Sequence, residues 1–369
     1  MEDAAVKRAR VLAAVVGALW LLSLSVAAPS GQAQPAFAAL VERLSEAGGD
    51  FDTDNLISNE RSYLQVAPAL GRVAADGAYI GVGPDQNFSY IAQVRPRIAF
   101  IVDIRRDNLL LHLLFKAMFG LARSRVEYVA MLTGRTMPRD AEAWTDASVE
   151  RIAAYVDGAP VDKRAVSAAR PRIHEQVRDT GVPLGDADFA TIDRFHQSFV
   201  QAGLSLKFQT FGRAPRARYP TYRELLLDRG PDGRAGSFLA TEAGFRTVQS
   251  LENHDLVVPV VGDLAGPHAL AEIGRLLTER HVRVSVLYVS NVEQYLFRDG
   301  RFNRYAENVR ALPRDARGMV VRAIFSPWAS GFRATDASVS VAQPLEEFAA
   351  GIAAGRYRSY PDLIAFSPR

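Results

Sequence analysis

Short, mainly apolar segments recur along the chain, and each is followed by a helical pattern. Four of them are Ala78–Val82, Ile98–Val102, Leu256–Val261 and Val282–Val289. The first three do not alternate polar with apolar residues, and this predicts a sheet that is covered on both faces. A strand, a turn, a helix and a second strand make a βαβ unit. The predicted fold class is therefore an α/β domain with a Rossmann-like, doubly wound, mostly parallel sheet.

Helical patterns and one further strand complete the predicted elements. The helices span about residues 35–47, 85–94, 107–122, 267–280, 302–312 and 345–357, and the fifth strand is Met319–Phe325. Ser58 is predicted to cap another helix that carries Glu60 and Tyr63. Residues 107–122 are apolar almost all round, which indicates a helix buried within the domain.

The order of these segments divides the chain into five parts. Residues 123–235 break the strand–helix rhythm, because they are rich in Arg, Ala and Asp, have helical periodicity and are interrupted by prolines. We interpret them as a helical insertion. The predicted parts are a signal peptide (1–33), an N-terminal helical segment (34–77), the first part of the Rossmann-like domain (78–122), the insertion (123–235) and the second part of that domain (236–369).

The N-terminal residues resemble an export signal. A basic stretch at residues 7–10 precedes the apolar run Val11–Ala28, and Gly31 and Ala33 occupy the −3 and −1 positions of a cleavage point. The alternative is an uncleaved anchor, because 18 apolar-leaning residues come close to the length that spans a bilayer. In either case we expect an exported chain, periplasmic or secreted, that touches the membrane only through this segment if it is not cleaved.

Composition and missing motifs exclude several function classes. The chain has no cysteine, which excludes Cys-ligated zinc, iron–sulfur clusters and thiol nucleophiles. Its net charge is +3, so no nucleic-acid partner is expected. The sequence contains no G-x-S-x-G, H-E-x-x-H or P-loop motif. The expected partner is a small-molecule ligand.

Glycines and polar residues follow four of the predicted strands at their carboxyl ends. Ligands of doubly wound sheets bind outside those ends, so we expect these residues to line one site. The candidate ligand-binding residues are Gly81, Gly83, Gln86 and Asn87 after the first strand, Asp103 and Arg105 after the second, and Asn291 after the fourth.

Asp103 is the most specific of these candidates. It ends the second strand, 20 residues past Gly83. A carboxylate in this position can bind the two hydroxyls of a ribose. The alternative is an ion pair with Arg105 or Arg106. The preceding turn contains Gly81 and Gly83 but lacks the third glycine of the dinucleotide fingerprint, which disfavours a pyrophosphate ligand.

Three residues near the later strands are candidates for catalysis. Asp263 and Glu293 are interpreted as an acid/base pair or a metal-binding pair, since catalytic carboxylates need shifted pKa values. Helix capping or a salt bridge is the alternative for each of them. His268 is a candidate general base whose alternative is a position near a helix start. His112, on the buried helix, is expected to be a core residue, and no metal site is assigned.

Three features at the strand ends carry a resemblance to a known family: Gly81-Val82-Gly83 after the first strand, Asp103 at the end of the second and Asp263 at the end of a later one. Together they resemble the class I S-adenosylmethionine-dependent methyltransferase fold. The resemblance covers about residues 78–122 and 256–326. It implies that the glycine turn approaches the amino-acid part of the cofactor, that Asp103 holds the ribose and that Asp263 lines the catalytic cleft. The chain departs from the family at Ala78–Ile80, where an acidic residue is usual, and it has no Asn/Asp-Pro-Pro-Tyr motif.

A second resemblance covers nearly the whole chain after the signal segment. Five strings carry it: FDTDNLISNE, YIGVGPDQNF, FIVDIRRDN, VVGDLAG and YVSNVEQYLF. They are similar to shared blocks of a family of uncharacterised exported bacterial proteins. This resemblance implies the domain organisation and names no reaction.

These observations predict a methyltransferase-like protein that binds S-adenosylmethionine or a related nucleoside-like ligand. Export conflicts with catalysis, because S-adenosylmethionine is made in the cytoplasm and an exported enzyme would lack its donor. The alternative prediction is an exported protein that binds a small molecule on a reused methyltransferase scaffold without catalysis.

Overall fold

Five parallel strands and an antiparallel edge strand form the central sheet of the computed structural model, which describes residues 37–140, 142–211, 219–325, 328 and 338–367. The predicted signal segment lies outside the described residues. The strands are β1 (Ala78–Gly81), β2 (Ile98–Asp103), β3 (Val257–Val261), β4 (Val284–Tyr288), β5 (Arg314–Phe325) and β6 (Ser338–Pro344). Their order is β3-β2-β1-β4-β5-β6, with β6 antiparallel to β5. The prediction of an α/β domain with a mostly parallel sheet is confirmed.

Helices precede, connect and follow these strands. They are α1 (Phe37–Leu44), α2 (Ala67–Leu70), α3 (Gln86–Val94), α4 (Arg106–Leu121), α5 (Arg125–Leu132), α6 (Val149–Gly158), α7 (Lys163–Asp179), α8 (Asp186–Ala202), α9 (Tyr222–Leu226), α10 (Glu242–Asn253), α11 (Ala269–Glu279), α12 (Val292–Arg298), α13 (Phe302–Ala311), α14 (Leu345–Ala353) and α15 (Tyr360–Ala365). Helix α4 is buried almost throughout and packs on β3, α7, α8 and α10, as its apolar surface predicts. Within the described residues, no helix is both long and apolar enough to cross a membrane.

The strands are hydrophobic because both faces of the sheet are covered. Every residue of β1, β3 and β4 is buried, as are the first five of β2. The chain runs from β1 through β2 to β3, and then crosses to β4 on the other side of β1. Because the order reverses between β1 and β4, a crevice opens there at the carboxyl ends of the strands.

Locally, the structure differs from the predictions in several places. The helix expected after Ser58 is absent, since the Ser58 hydroxyl accepts a hydrogen bond from the Glu60 amide within a loop, and a 3-10 turn begins only at Tyr63. Strand β6 was not predicted. The last predicted helix ends earlier, at Ala353, because the chain turns at Gly355, which has a φ of 64°.

Candidate functional site

A cavity of about 330 Å³ lies at the carboxyl ends of the parallel strands. Residues that follow β1, β2, β3 and β4 form its inner wall. The loop that connects α1 to the 3-10 turn, residues 50–60, forms the facing wall. The sheet topology therefore brings four strand ends of distant sequence position together around one space, as the sequence predicts.

The turn after β1 contributes Gly83 to the cavity wall but not Gly81. Gly83 has a φ of 80°, which favours glycine, and its carbonyl accepts a hydrogen bond from His112 Nε2 at 2.9 Å. A Cβ on Gly81 would lie 2.0 Å from Asn87 Oδ1. Glycine is thus required at position 81 by packing inside the fold. His112 is the core residue that its position predicts, and burial lowers its pKa to about 4.

Asn87 braces this turn from inside and does not line the cavity. Its Nδ2 donates to the carbonyls of Val82, at 2.9 Å, and Pro84, at 2.7 Å, while its Oδ1 accepts from the Tyr79 hydroxyl at 2.8 Å. The side chain is fully buried. The ligand-binding role expected for Asn87 is therefore replaced by a structural one.

Asp103 and Arg105 both line the cavity and form an ion pair with each other. Arg105 donates from Nε to Asp103 Oδ1 at 3.2 Å and from Nη2 to Oδ2 at 3.1 Å. Its Nη1 donates to the carbonyls of Thr53 and Asp54 in the facing loop. The ion-pair alternative for Asp103 is thus present, with Arg105 as the partner, because Arg106 pairs with Asp188 instead. The pair fastens the facing loop to the end of β2.

Asp263 and Asn291 also lie in the cavity wall, whereas His268 does not. Asp263 is paired with Arg301, with 2.6 Å between Oδ2 and Nη1. His268 is the residue before α11, and its Nε2 lies 2.9 Å from the Arg43 carbonyl on the outside of the domain. Asp263 therefore forms a salt bridge and His268 lies at a helix start, which are the alternatives to a catalytic role for these two residues.

Glu293 is a core residue and not part of the cavity. Its carboxylate accepts hydrogen bonds from Arg322 of β5, at 2.6 and 3.3 Å, and from the Tyr305 hydroxyl at 3.1 Å. Glu293 and Arg322 are each 1% exposed. The expected acid/base or metal-binding pair of Glu293 with Asp263 is wrong, because the first turn of α12 directs Glu293 under the helix toward β5. Among the described residues, no cluster of three or more metal-ligating side chains occurs.

Glu60 is the residue of this site that sequence reasoning missed. It lies in the cavity wall and is 1% exposed. Its Oε1 accepts from the Tyr288 hydroxyl at 2.7 Å and from the Ser290 hydroxyl, and its Oε2 accepts from Gln86 Nε2 at 2.9 Å. Burial raises the pKa of the Glu60 carboxyl, and the three hydrogen bonds partly offset that rise. Gln86 therefore stands behind Glu60 and does not itself line the cavity.

Ser290 joins β4 to α12 with a strained backbone. Its φ is 50°, in the left-handed region that a serine seldom adopts. The conformation turns its hydroxyl onto Glu60, and its carbonyl still accepts from the Ala323 amide at 2.8 Å. Strained residues of this kind cluster at ligand sites. The signal available in the sequence was the dense polar string of residues 50–60, which had no periodicity of its own.

Comparison with known proteins identifies a family but not an activity. A search among curated proteins finds no match to the chain. A family model described as "Domain of unknown function (DUF7790)" matches residues 56–181 and 190–366, which together exceed half of the 369 residues. The match includes the ends of all four cavity-lining strands, together with Glu60. The chain therefore belongs to this DUF7790 family.

Proposed function

We propose that the protein is a methyltransferase-like ligand-binding protein that holds S-adenosylmethionine or a related nucleoside-like molecule in the cavity at the strand ends. The observation that carries the proposal is the carboxylate of Asp103 at the end of β2, in the wall of a cavity at the point where the strand order reverses. Nucleotides bind other doubly wound sheets in that crevice. A volume of about 330 Å³ lies within the range of small-molecule sites.

The residues present fit the groups of such a ligand. Arg105 holds the Asp103 carboxylate in place. Oδ1 accepts from both the backbone amide and Nε of Arg105, whereas Oδ2 accepts only from Nη2 within the described residues and keeps a lone pair for a ribose hydroxyl. At Gly83 the nearest atom to an added Cβ would be 3.5 Å away, so a ligand can approach the backbone there. Phe51 and Tyr295, which pack edge to face at the cavity wall, offer aromatic surface for a base. When bound, S-adenosylmethionine would supply a transferable methyl group.

A second candidate is an exported binding protein that transfers no methyl group. The pairing of the expected catalytic residues favours it: Asp263 is held by Arg301, Glu293 is buried against Arg322 and His268 lies outside the wall. The export signal predicted from residues 1–33 favours it too, since the methyl donor is made in the cytoplasm. Saturable binding of S-adenosylmethionine with no product after prolonged incubation with envelope extracts would support this candidate.

Calorimetric titration of the full-length chain with S-adenosylmethionine and S-adenosylhomocysteine tests the proposal. We expect micromolar binding, about −8 kcal/mol, that is lost in Asp103→Ala while the far-ultraviolet circular dichroism is retained. Asp188→Ala is the matched control, because Asp188 is also an arginine-paired aspartate but lies outside the cavity. Unchanged affinity in Asp103→Ala refutes the ribose role. No binding of either nucleoside by the folded chain refutes the proposal.

A further inference from the structure

The Glu60 carboxylate is buried, and its partners within the described residues carry no positive charge. Its three hydrogen-bond donors, from Gln86, Tyr288 and Ser290, are all neutral. No lysine or arginine of the described residues forms an ion pair with it. Burial of an unpaired carboxylate costs several kcal/mol, and this one lies in a cavity wall and not in the sealed core.

The other charges of the cavity leave Glu60 uncompensated. Among the described residues, three arginines lie in the cavity wall, and each is already paired with a carboxylate that also lies there. The pairs are Arg105–Asp103, Arg301–Asp263 and Arg298–Asp299. Two further carboxylates, Glu60 and the exposed Asp50, form no ion pair within the described part of the chain. The described part of the wall thus carries an excess of two negative charges when all of its carboxylates are ionised.

The surroundings of Glu60 suit an organic cation better than a hydrated metal ion. Tyr288 donates to Glu60 from inside the wall, and Phe51, Phe208 and Tyr295 line the same cavity. Aromatic faces attract cations that have shed their water. Glu60 Oε2 accepts a single hydrogen bond within the described residues, so a lone pair remains for an N–H donor.

We propose that Glu60 is the subsite for a protonated amine of the ligand. The proposal rests on the cavity being the ligand site and deepens the proposed function by naming the chemical class of one ligand group, an ammonium with at least one N–H. The ammonium donates to Glu60 Oε2, and the aromatic wall encloses the carbon chain that carries it. A ligand of this class supplies a positive charge that no described residue gives to Glu60, so an uncharged isostere of the same shape binds more weakly.

The test compares two matched ligand pairs by calorimetry on the full-length chain. The first pair is adenosine and 5′-amino-5′-deoxyadenosine, two nucleosides in which a hydroxyl is replaced by an ammonium. The second pair is phenethyl alcohol and phenethylamine, which differ in the same way but contain no nucleoside. We expect each amine to bind at least tenfold more tightly than its alcohol. The preference should vanish in Glu60→Gln and persist in Asp50→Asn, which removes the exposed carboxylate of the same wall.

Glu60→Gln is expected to fold, because Gln86 Oε1 has no hydrogen-bond partner among the described residues and can rotate to accept from the new amide. The wild-type comparison of amine with alcohol does not depend on that variant. Equal affinity of amine and alcohol in both pairs, or an amine preference that survives in Glu60→Gln, overturns the subsite.

The two proposals fail separately. If the nucleosides bind without an amine preference, the subsite is refuted and the proposed function stands. If phenethylamine binds in a Glu60-dependent way and no nucleoside binds, the subsite stands and the proposed function is refuted. Absence of binding by both amines refutes the subsite.

Discussion

Neutralising Glu293 should destabilise the protein more than neutralising a comparable surface glutamate. In Glu293→Gln, the Arg322 guanidinium stays buried and keeps Gln343, at 2.9 Å, as a neutral partner, but it loses its counter-charge. Removal of one member of a buried ion pair costs about 3–5 kcal/mol. For 369 residues the entropy of unfolding is about 0.8 kcal/mol per kelvin, so Tm should fall by about 4–6 °C.

The assay is differential scanning calorimetry at pH 7, with Glu150→Gln as the matched control. Glu150 pairs with Arg229 on the surface, both side chains being about half exposed. An exposed pair contributes about 0–1 kcal/mol, so Tm of the control should change by about 1 °C or less. If Glu293→Gln behaves like the control, the reasoning that places Glu293 in a stability-determining ion pair is refuted. An unchanged Tm together with a loss of ligand binding would instead indicate that Glu293 belongs to the functional site.

Three further predictions concern burial and packing. Burial raises the pKa of Asp85 to about 7, so the folded state holds this proton more tightly than the unfolded state and stability falls as pH rises from about 4 to 7. The free energy of chemical unfolding of Asp85→Asn should equal that of the wild type at pH 4 and exceed it at pH 8 by up to about 4 kcal/mol. If the two free energies change in parallel with pH across this range, the prediction is contradicted. Gly81→Ala should lower the free energy of unfolding by more than 2 kcal/mol, since its Cβ would overlap Asn87 (overpacked cores lose about 1–3 kcal/mol). Gly158→Ala, with open space around the added Cβ, should be neutral or slightly stabilising. Equal effects of the two substitutions on urea unfolding would refute the packing role of Gly81. Glu60→Gln should raise Tm of the ligand-free protein above pH 7, because it removes a buried carboxylate whose raised pKa makes ionisation costly; a lower Tm there would show that the charge is stabilised within the fold.

The apolar strands and their order in the chain were predictable because burial on both faces leaves an unambiguous pattern. Residues 98–102 and 257–261 contain no charged side chain, and each lies in a strand of the structure. Strand β6 escaped prediction because its sequence, SVSVAQP, places buried serines and a glutamine among its few apolar residues. Ser338 and Gln343 have partners that are distant in sequence, Arg61 and Arg322, which local patterns do not reveal.

The strand ends of the site were also predictable, but the direction of each side chain was not. Asp103 and Asp263 follow directly from parallel strands that end at one edge, and both lie in the cavity wall. Glu293 lies five residues past the end of β4, in the first turn of α12, where the helix decides which way a side chain points. A signal was present in Arg322, which is the one charge within the apolar stretch Met319–Phe325, since a buried charge requires a partner.

Glu60 shows the limit of sequence reasoning most clearly. It lies in an irregular loop, far from the strand ends in sequence, and its burial depends on the loop being fastened over the sheet by Arg105. No periodic pattern in the sequence predicts the contact of Arg105 with this loop. Only the assembled fold brings Glu60 to Tyr288 and Ser290 at the end of β4.

A crystal structure of the full-length chain grown with saturating S-adenosylhomocysteine shows whether the cavity at the strand ends is the ligand site. We expect ligand density in the cavity, with the ribose hydroxyls within hydrogen-bond distance of the Asp103 carboxylate and the amino group near Glu60. An empty cavity in crystals that contain the ligand at a different position would show that the ligand site lies elsewhere.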